Sequence, residues 1–416
     1  MPPRLQALVA HTTEWRAAMS VPQSVEDVVR NGLCIGCGLC GAIGPFDMAY
    51  TPEGRLRPRR SDAGSAADIM RACPGAVAAP NAEKGPHQDP IWGSYRRIQT
   101  AWAADADVRY RAATGGVLTA LGMYLLRRGE ARFVLHCGAD PQRPMRSRWF
   151  LSETANEVSA RAGSRYGPSD TLAGLDAALA REEPFAIIAK PCDAGAVRAR
   201  AKDDPRIGQY LKALLVMVCG GASDLGKSEA LLDEQGWSED DVILFRYRGY
   251  GNPGPTRVET CRGEALEKTY SEMWADEAGW RIQSRCKICP DALGEAADIA
   301  AADVWPGGNP TGEDAGFNGV IIRTQAGEVL FDEAMAAGAL VSGGAMTPEA
   351  LSDTQPHQVS KKKNLAARLR GLRAAGMPVY AHTGLRIETL DAKNPAEQEG
   401  AFTRAKAGRF RETMPE

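Results

Sequence analysis

Nowhere in this 416-residue chain do about 18 apolar side chains follow one another, which excludes a membrane-spanning helix. The opening stretch MPPRLQALVAHTTEW has no uninterrupted apolar run of signal-peptide length, so a cytoplasmic protein is expected. Charge of one sign is missing as well. The 50 Lys and Arg nearly balance 52 Asp and Glu, the net charge is −2, and no global field attracts nucleic acid or an acidic membrane. Histidine is scarce, five in all, and only His136 lies beside a motif, where a strand-end role suits it better than catalysis. Internal repeats and low-complexity tracts are absent.

What is present is cysteine, ten residues of it. A reducing compartment would not keep these as disulfides, so metal ligands or redox groups are expected. Cys34, Cys37 and Cys40 form the run CIGCGLC, and Cys73 follows in a Cys73-Pro74 pair. Bacterial ferredoxins hold a 4Fe-4S cluster with such a run closed by a C-P pair, because three thiolates on one tight loop reach three corners of one cube. The position that would serve a partner cluster is Gly44, followed by Pro45. The pattern reads as a one-cluster, ferredoxin-like module with Cys73 as remote fourth ligand; a structural zinc site is the alternative.

A second group is spread over the later half: Cys192 in AKPCDAGAV, Cys219 in VMVCGGASD, and Cys286 and Cys289 in RCKICPD. A lone CxxC could be a redox pair, half a zinc site or half an iron–sulfur site. Cys192 and Cys219 come at or just after apolar strands, where parallel neighbours deliver side chains to a common edge, and the four suit a second 4Fe-4S cluster. Cys137 could replace Cys219. Cys261 is expected to be structural.

The length suggests two or three domains. Residues up to about 30 read as helical, with Leu5, Leu8 and Val9 and then Val25, Val28 and Val29 at helical spacing. AEKGPHQDP (82 to 90) reads as a linker closing the first domain. TGGVLTALGMYLLRRG reads as a helix with Leu118, Leu121, Leu125 and Leu126 on one face and Gly129 as its stop. Strands are expected at ARFVLHCG, FAIIAK (185 to 190), LLVMVCG (214 to 220), DVILFRYRG (241 to 249), ADIAAADVW (297 to 305) and GVIIRT (319 to 324), with helices between several of them. This is an α/β or mixed α+β core. From Met346 onward the chain reads as helical and basic, with Lys361, Lys362, Lys363, Arg368 and Arg370 on a solvated face.

Clusters pass single electrons, whereas most organic reductions need a pair, so a flavin is expected alongside. Thr114-Gly115-Gly116 opens the helix just described and offers its positive end to a phosphate or flavin carbonyl; the alternative is a simple cap by Thr114. GSRYGPSD (163 to 170) offers Ser164, Arg165 and Tyr166, with Ser169 or Asp170 as a cap. RGYGNPG holds a G-x-G-x-x-G from Gly249 to Gly254, but Pro253, Pro255 and the β-rich RVETC follow where a helix should start, which argues against a dinucleotide fold and for a ligand-lining loop. Asp193, Asp298, Asp303 and Tyr166 are the candidate proton donors or ligand-orienting groups.

Together TGGV, GSRYG, KPCD, RYRGYGNPG and CKICPDALGEAADIAAADVWPG, in that order over about residues 93 to 345, resemble the beta-subunit family of the coenzyme F-420 hydrogenases and dehydrogenases, with the ferredoxin-like module fused in front. Relatives of that type include 7-hydroxymethyl chlorophyll a reductase and a ferredoxin-dependent divinyl chlorophyllide reductase, although the spacer after CIGCGLC differs from theirs. The resemblance implies a mixed-sheet FAD-binding core and one or two 4Fe-4S clusters; with the N-terminal cysteine module and the helical tail read above, two clusters are expected. The implied domains are 1–90 (cluster module), 91–180 and 181–345 (core) and 346–416 (tail). It also implies FAD contacts from Thr114, Gly115, Gly116 and Val117, with Ser164, Arg165, Tyr166, Arg248, Gly249, Gly251 and Asp303 beside them, and cluster ligation by Cys192, Cys219, Cys286 and Cys289. The expected activity is a reductase or dehydrogenase. Ferredoxin would feed the N-terminal cluster, the second cluster and FAD would follow, and a small organic substrate would be reduced with Tyr166 or Asp193 as acid. The alternatives are a deazaflavin-dependent oxidoreductase and an electron-transfer subunit of a larger complex. The sequence leaves a homo-oligomer open.

Overall fold

The computed structural model describes residues 21–415, apart from 63–65, 275–280, 311 and 394. The expected helical positions Leu5, Leu8 and Val9 lie outside the described residues. Helix α1 (Val25–Arg30) begins at Ser24, whose hydroxyl accepts from the Asp27 amide at 3.1 Å, and buries Val25, Val28 and Val29. After the cysteine loop come α2 (Leu39–Ile43), a hairpin of β1 (Phe46–Tyr50) and β2 (Leu56–Arg60), and α3 (Ala67–Ala72), which ends at Cys73. The segment expected as a linker is tied down: His87–Asp89 pairs with Gly93–Tyr95, and the Asn81 amide donates to the Glu295 carbonyl at 2.9 Å.

The core is a mixed sheet of eight strands: β3 (Arg97–Ala103), β4 (Phe133–Ala139), β5 (Ser147–Ser152), β6 (Phe185–Ala189), β7 (Leu211–Met217) and, after a small antiparallel sheet of β8 (Val242–Arg246), β9 (Thr256–Thr260) and β10 (Ala265–Lys268), the strands β11 (Ile299–Asp303), β12 (Asn318–Ile322) and β13 (Leu340–Ala345). Its order is β13-β3-β12-β11-β7-β6-β4-β5. The four strands β11, β7, β6 and β4 pair in parallel, and the flanking pairs are antiparallel.

The central strands read as continuous apolar runs because both faces of the sheet are covered. Phe185, Ile187, Leu214 and Val216 join a core that includes Ile35, Cys37 and Leu39 of the cysteine loop. Their alternates Ala186, Ala213 and Leu215 join another core with Val117, Leu121 and Leu125 of α4 (Val117–Arg128). The sheet therefore carries the cysteine module on one face and the glycine-started helix on the other. Helix α4 ends where expected, at Gly129 with φ 72°.

The tail packs as a helix, but its basic face is not wholly solvated. Beyond α5 (Pro191–Arg200), α6 (Ser284–Lys287) and α7 (Gln325–Ala336), helix α8 (Pro356–Ala374) packs Leu365, Leu369 and Leu372 into one core with Val28, Leu33 and Ala76. Ala381–His382 pairs in parallel with Val77–Ala78. Val28, Leu33 and Ala76 near the start of the described residues thus share a core with Leu365 to Phe410. Lys362, expected on a solvated face, is buried and salt-bridged to Glu295 at 2.8 Å. No helix is long and apolar enough to cross a membrane among the described residues.

Candidate metal centres

Cys34, Cys37, Cys40 and Cys73 line one cavity. The loop reverses at Gly36, whose φ of 68° is left-handed and whose Cβ, if present, would lie 2.4 Å from the Leu56 carbonyl oxygen. The Gly36 amide points at the Cys34 sulfur at 3.4 Å. The loop is fastened to the core by the Leu172 amide, which donates to the Cys37 carbonyl at 2.9 Å. Cys73 arrives as the extended C-cap of α3, and Pro74 after it favours that extended geometry.

Cys192, Cys219, Cys286 and Cys289 line a second cavity. Cys192 stands in the first turn of α5 directly after β6, and Cys219 lies two residues beyond β7, so adjacent parallel strands deliver both. The Cys219 amide donates to the Ala292 carbonyl at 2.9 Å, and the Ala222 amide to the Cys286 sulfur at 3.4 Å. Ile35 belongs to the walls of both cavities. Cys137 lines neither, and Cys261 is exposed rather than built into the structure.

Burial pushes these thiols up: Cys73 to about 11, Cys219 to about 12, and Cys37, Cys40 and Cys192 well above the ordinary range. A reactive CxxC needs a depressed thiol, so the donor set suits groups that ionise when a metal takes them. Cations stand ready for that charge. Arg285 is buried, lines the second cavity, and donates only to the carbonyls of Pro74 and Ile288, with no carboxylate partner among the described residues. Lys361 lines the same cavity and donates to the Gly220 carbonyl at 2.8 Å. Among the described residues no three His, Cys, Asp or Glu are grouped to hold a single metal ion; each thiol set is spread around a cavity wall. All-thiol donor sets of four fit iron–sulfur clusters.

The motifs expected to contact a flavin meet through Arg248, near the carboxyl end of β11. Its guanidinium donates to the Tyr166 hydroxyl at 3.1 Å, to Asp303 at 3.0 Å, to the Pro253 carbonyl at 3.0 Å and to the Ala113 carbonyl at 2.6 Å, one residue before Thr114. Trp305 stacks over it at 4.8 Å. Gly249 (φ 104°) lets two loops touch, since a Cβ there would sit 2.4 Å from the Arg111 carbonyl. The Gly251 amide donates to the Tyr110 carbonyl at 2.9 Å. The G-x-G-x-x-G stretch leads into strand β9 rather than a helix, as its prolines require.

Thr114 does not cap α4; Gly116 does, in a left-handed conformation, while the Thr114 hydroxyl donates to the Phe317 carbonyl at 3.0 Å. Gly115 allows close approach to Asn318, whose side chain accepts from the Val117 amide at 3.3 Å. Ser164 is half-buried. Arg165 is taken up by the Ser147 hydroxyl at 2.7 Å and by the Pro144 and Arg146 carbonyls at 2.8 Å each, so it ties strand to loop.

The two expected acids lie in different surroundings. Burial holds the Tyr166 phenol far up, in its neutral form, beside Arg248. Asp193 is wholly buried in α5, 2.9 Å from Lys190, and burial raises it despite that cation; its charge acts on Cys37 and Cys192. Asp298 is occupied by Arg198, Thr324 and the Leu214 amide. Sequence reasoning missed Arg57 and Arg285, and it placed Lys361 and Lys362 on a solvated face. A signal existed for Lys362: it stands three residues before Leu365 and seven before Leu369, on the apolar stripe of α8.

A mixed α/β protein with two four-cysteine cavities, one of them drawing Cys192 and Cys219 from the carboxyl ends of parallel strands, is the class that fold and site define. The chain belongs to the coenzyme F420 hydrogenase/dehydrogenase beta-subunit family, whose N-terminal part matches residues 98–176 and whose C-terminal part matches residues 182–345. It is 24% identical to the coenzyme F420 hydrogenase subunit beta of Methanothermobacter thermautotrophicus, covering 67% of this chain and 96% of that protein. It is 26% identical to the F420-dependent formate dehydrogenase subunit beta of Methanocaldococcus jannaschii, covering 56% and 58%. In structure it resembles a chain of the xenon-derivatised F420-reducing [NiFe] hydrogenase complex from Methanosarcina barkeri, with a TM-score of 0.54 at 20% identity over 71% of this chain and 98% of that one. The two share the fold.

Proposed function

We propose that this chain is an iron–sulfur flavoprotein that carries electrons as a subunit of a redox complex. Cys34, Cys37, Cys40 and Cys73 hold one 4Fe-4S cluster, and Cys192, Cys219, Cys286 and Cys289 hold a second. FAD lies against Thr114 to Val117, Ser164 to Tyr166, Arg248 to Gly251 and Asp303. When bound, the clusters supply one-electron transfer and the flavin links it to two-electron chemistry. The observation that carries the reading is the pair of four-thiol cavities with Ile35 in both walls. The protein's own part is to keep both thiol sets away from bulk water, to fix the loops on Arg248, and to hold a proton on Tyr166 beside Asp303.

The relatives' names put coenzyme F420 first among substrates for the flavin site. A second reading is ferredoxin-fed reduction of a small organic acceptor, favoured by the CIGCGLC module, which precedes the first residue matched by the family, 98. Anaerobic purification with iron, sulfide and flavin counts tests the core of the proposal: roughly eight iron, eight sulfide and one flavin per chain are expected. Bleaching of the flavin band by reduced F420, or by reduced ferredoxin, separates the two readings. A colourless chain containing zinc would overturn both.

A further inference from the structure

Arg57 sits on β2 with its side chain fully buried. Its Nε donates to the Glu412 carboxylate at 2.7 Å, and its Nη1 donates to the Gln283 side-chain oxygen at 2.9 Å and the Leu56 carbonyl at 2.8 Å. The other terminal nitrogen, Nη2, is buried and has no hydrogen-bond partner among the described residues. A buried guanidinium with an unused donor costs free energy unless something accepts from it. Its charge acts on Cys34 of one set and on Cys286 of the other. Two of its three fixed contacts come from segments next to those sets: Leu56 packs against Gly36 in the Cys34 loop, and Gln283 precedes Cys286 by three residues.

Resting on the two-cluster reading above, we propose that Arg57 is a positioning residue shared by both clusters: a single buried cation between the two thiol sets, with Nη2 as the donor to sulfur, held in place by the C-terminal Glu412. A cluster gains negative charge when it is reduced, so a buried cation and an N–H donor stabilise its reduced form, and a neighbouring carboxylate opposes that. Arg57 sets both centres together, and Glu412 tempers it. The tail is thereby coupled to the electron path, since Glu412 also pairs with Arg55 at 3.0 Å and its amide donates to the Arg30 carbonyl at 3.1 Å.

The test is a redox titration of the full-length, anaerobically purified protein, following the reduced clusters by electron paramagnetic resonance. Arg57→Gln is expected to lower the midpoint potential of both centres, and Glu412→Gln to raise both. Opposite shifts from two substitutions in one ion pair are not produced by general loosening of the fold. Unshifted potentials in Glu412→Gln overturn the proposal even where Arg57→Gln fails to fold, and a shift confined to one centre overturns the shared role. A wild-type protein without two clusters defeats the underlying reading instead, so the two failures are distinguishable by the iron and sulfide count.

Discussion

The Nη2 of Arg285 donates to the carbonyl of Pro74 at 2.7 Å, which fastens the residue before Cys286 to the residue after Cys73. Segments of the two cysteine sets 211 residues apart in sequence are thus joined by one buried side chain, which also stacks over Tyr380 of the tail at 4.2 Å. Replacing Arg285 with methionine removes both bonds to Pro74 and that contact. We expect a loss of about 3 kcal/mol in denaturant unfolding, the range for buried charged hydrogen bonds. Less iron should be recovered at both sites. An unchanged midpoint would show that the clasp is dispensable.

Iron analysis of single cysteine variants separates the two sets. Cys34→Ser and Cys289→Ser should each remove roughly half of the iron, about four atoms per chain, and leave the remainder in place. Cys137→Ser and Cys261→Ser should retain all of it, because neither side chain lines a cavity. Loss of iron from the second site in Cys137→Ser would reassign a ligand.

Neighbouring lysines on α8 should behave in opposite ways. Lys362 is 3% exposed and pairs with a Glu295 carboxylate that is 1% exposed, whereas Lys363 faces solvent. Lys362→Met strands part of a buried charge and should cost about 3 kcal/mol, moderated by Arg386, which also reaches Glu295 at 2.7 Å. Lys363→Ala should change unfolding by no more than about 0.5 kcal/mol. Equal effects in thermal melts would contradict this assignment of faces.

His136 predicts an acid limb in stability. It is 5% exposed, lies 2.8 Å from the Ser152 hydroxyl, and is depressed by burial and then by Arg161 to about 4, against 6.5 for the free group. Between those values the unfolded chain binds a proton that the folded chain refuses. Its contribution is therefore complete above pH 6.5 and is lost as pH falls toward 4, amounting to about 3 kcal/mol. Urea unfolding from pH 7 to 4 should show that slope in the wild type and a flatter one in His136→Gln. Superimposable profiles would mean that the imidazole is not held neutral.

Much of the core was legible. FAIIA and LLVM are continuous apolar runs because helices and loops cover both faces of a parallel sheet, and the Gly129 stop of α4 lies where periodicity puts it. Strand ends were less so: the strand expected at 214–220 closes at Met217, which leaves Cys219 in the following turn, free to face a cavity. The basic tail was hard to read because charge alone points to solvent. Lys362 shows that a lysine on an apolar stripe is buried when a carboxylate such as Glu295 waits beneath it.

By itself the sequence marked two cysteine groups, through local spacing in CIGCGLC and RCKIC and the placement of Cys192 and Cys219 at or just after apolar strands, while it left Cys137 open in place of Cys219. Only the tertiary structure decided that both sets share the wall at Ile35, that Arg57 of β2 reaches Gln283 and Arg285 reaches Pro74, and that the tail closes over the N-terminal module. Those contacts join residues hundreds of positions apart, and they follow from burying apolar faces and compensating buried charge, which no local pattern encodes.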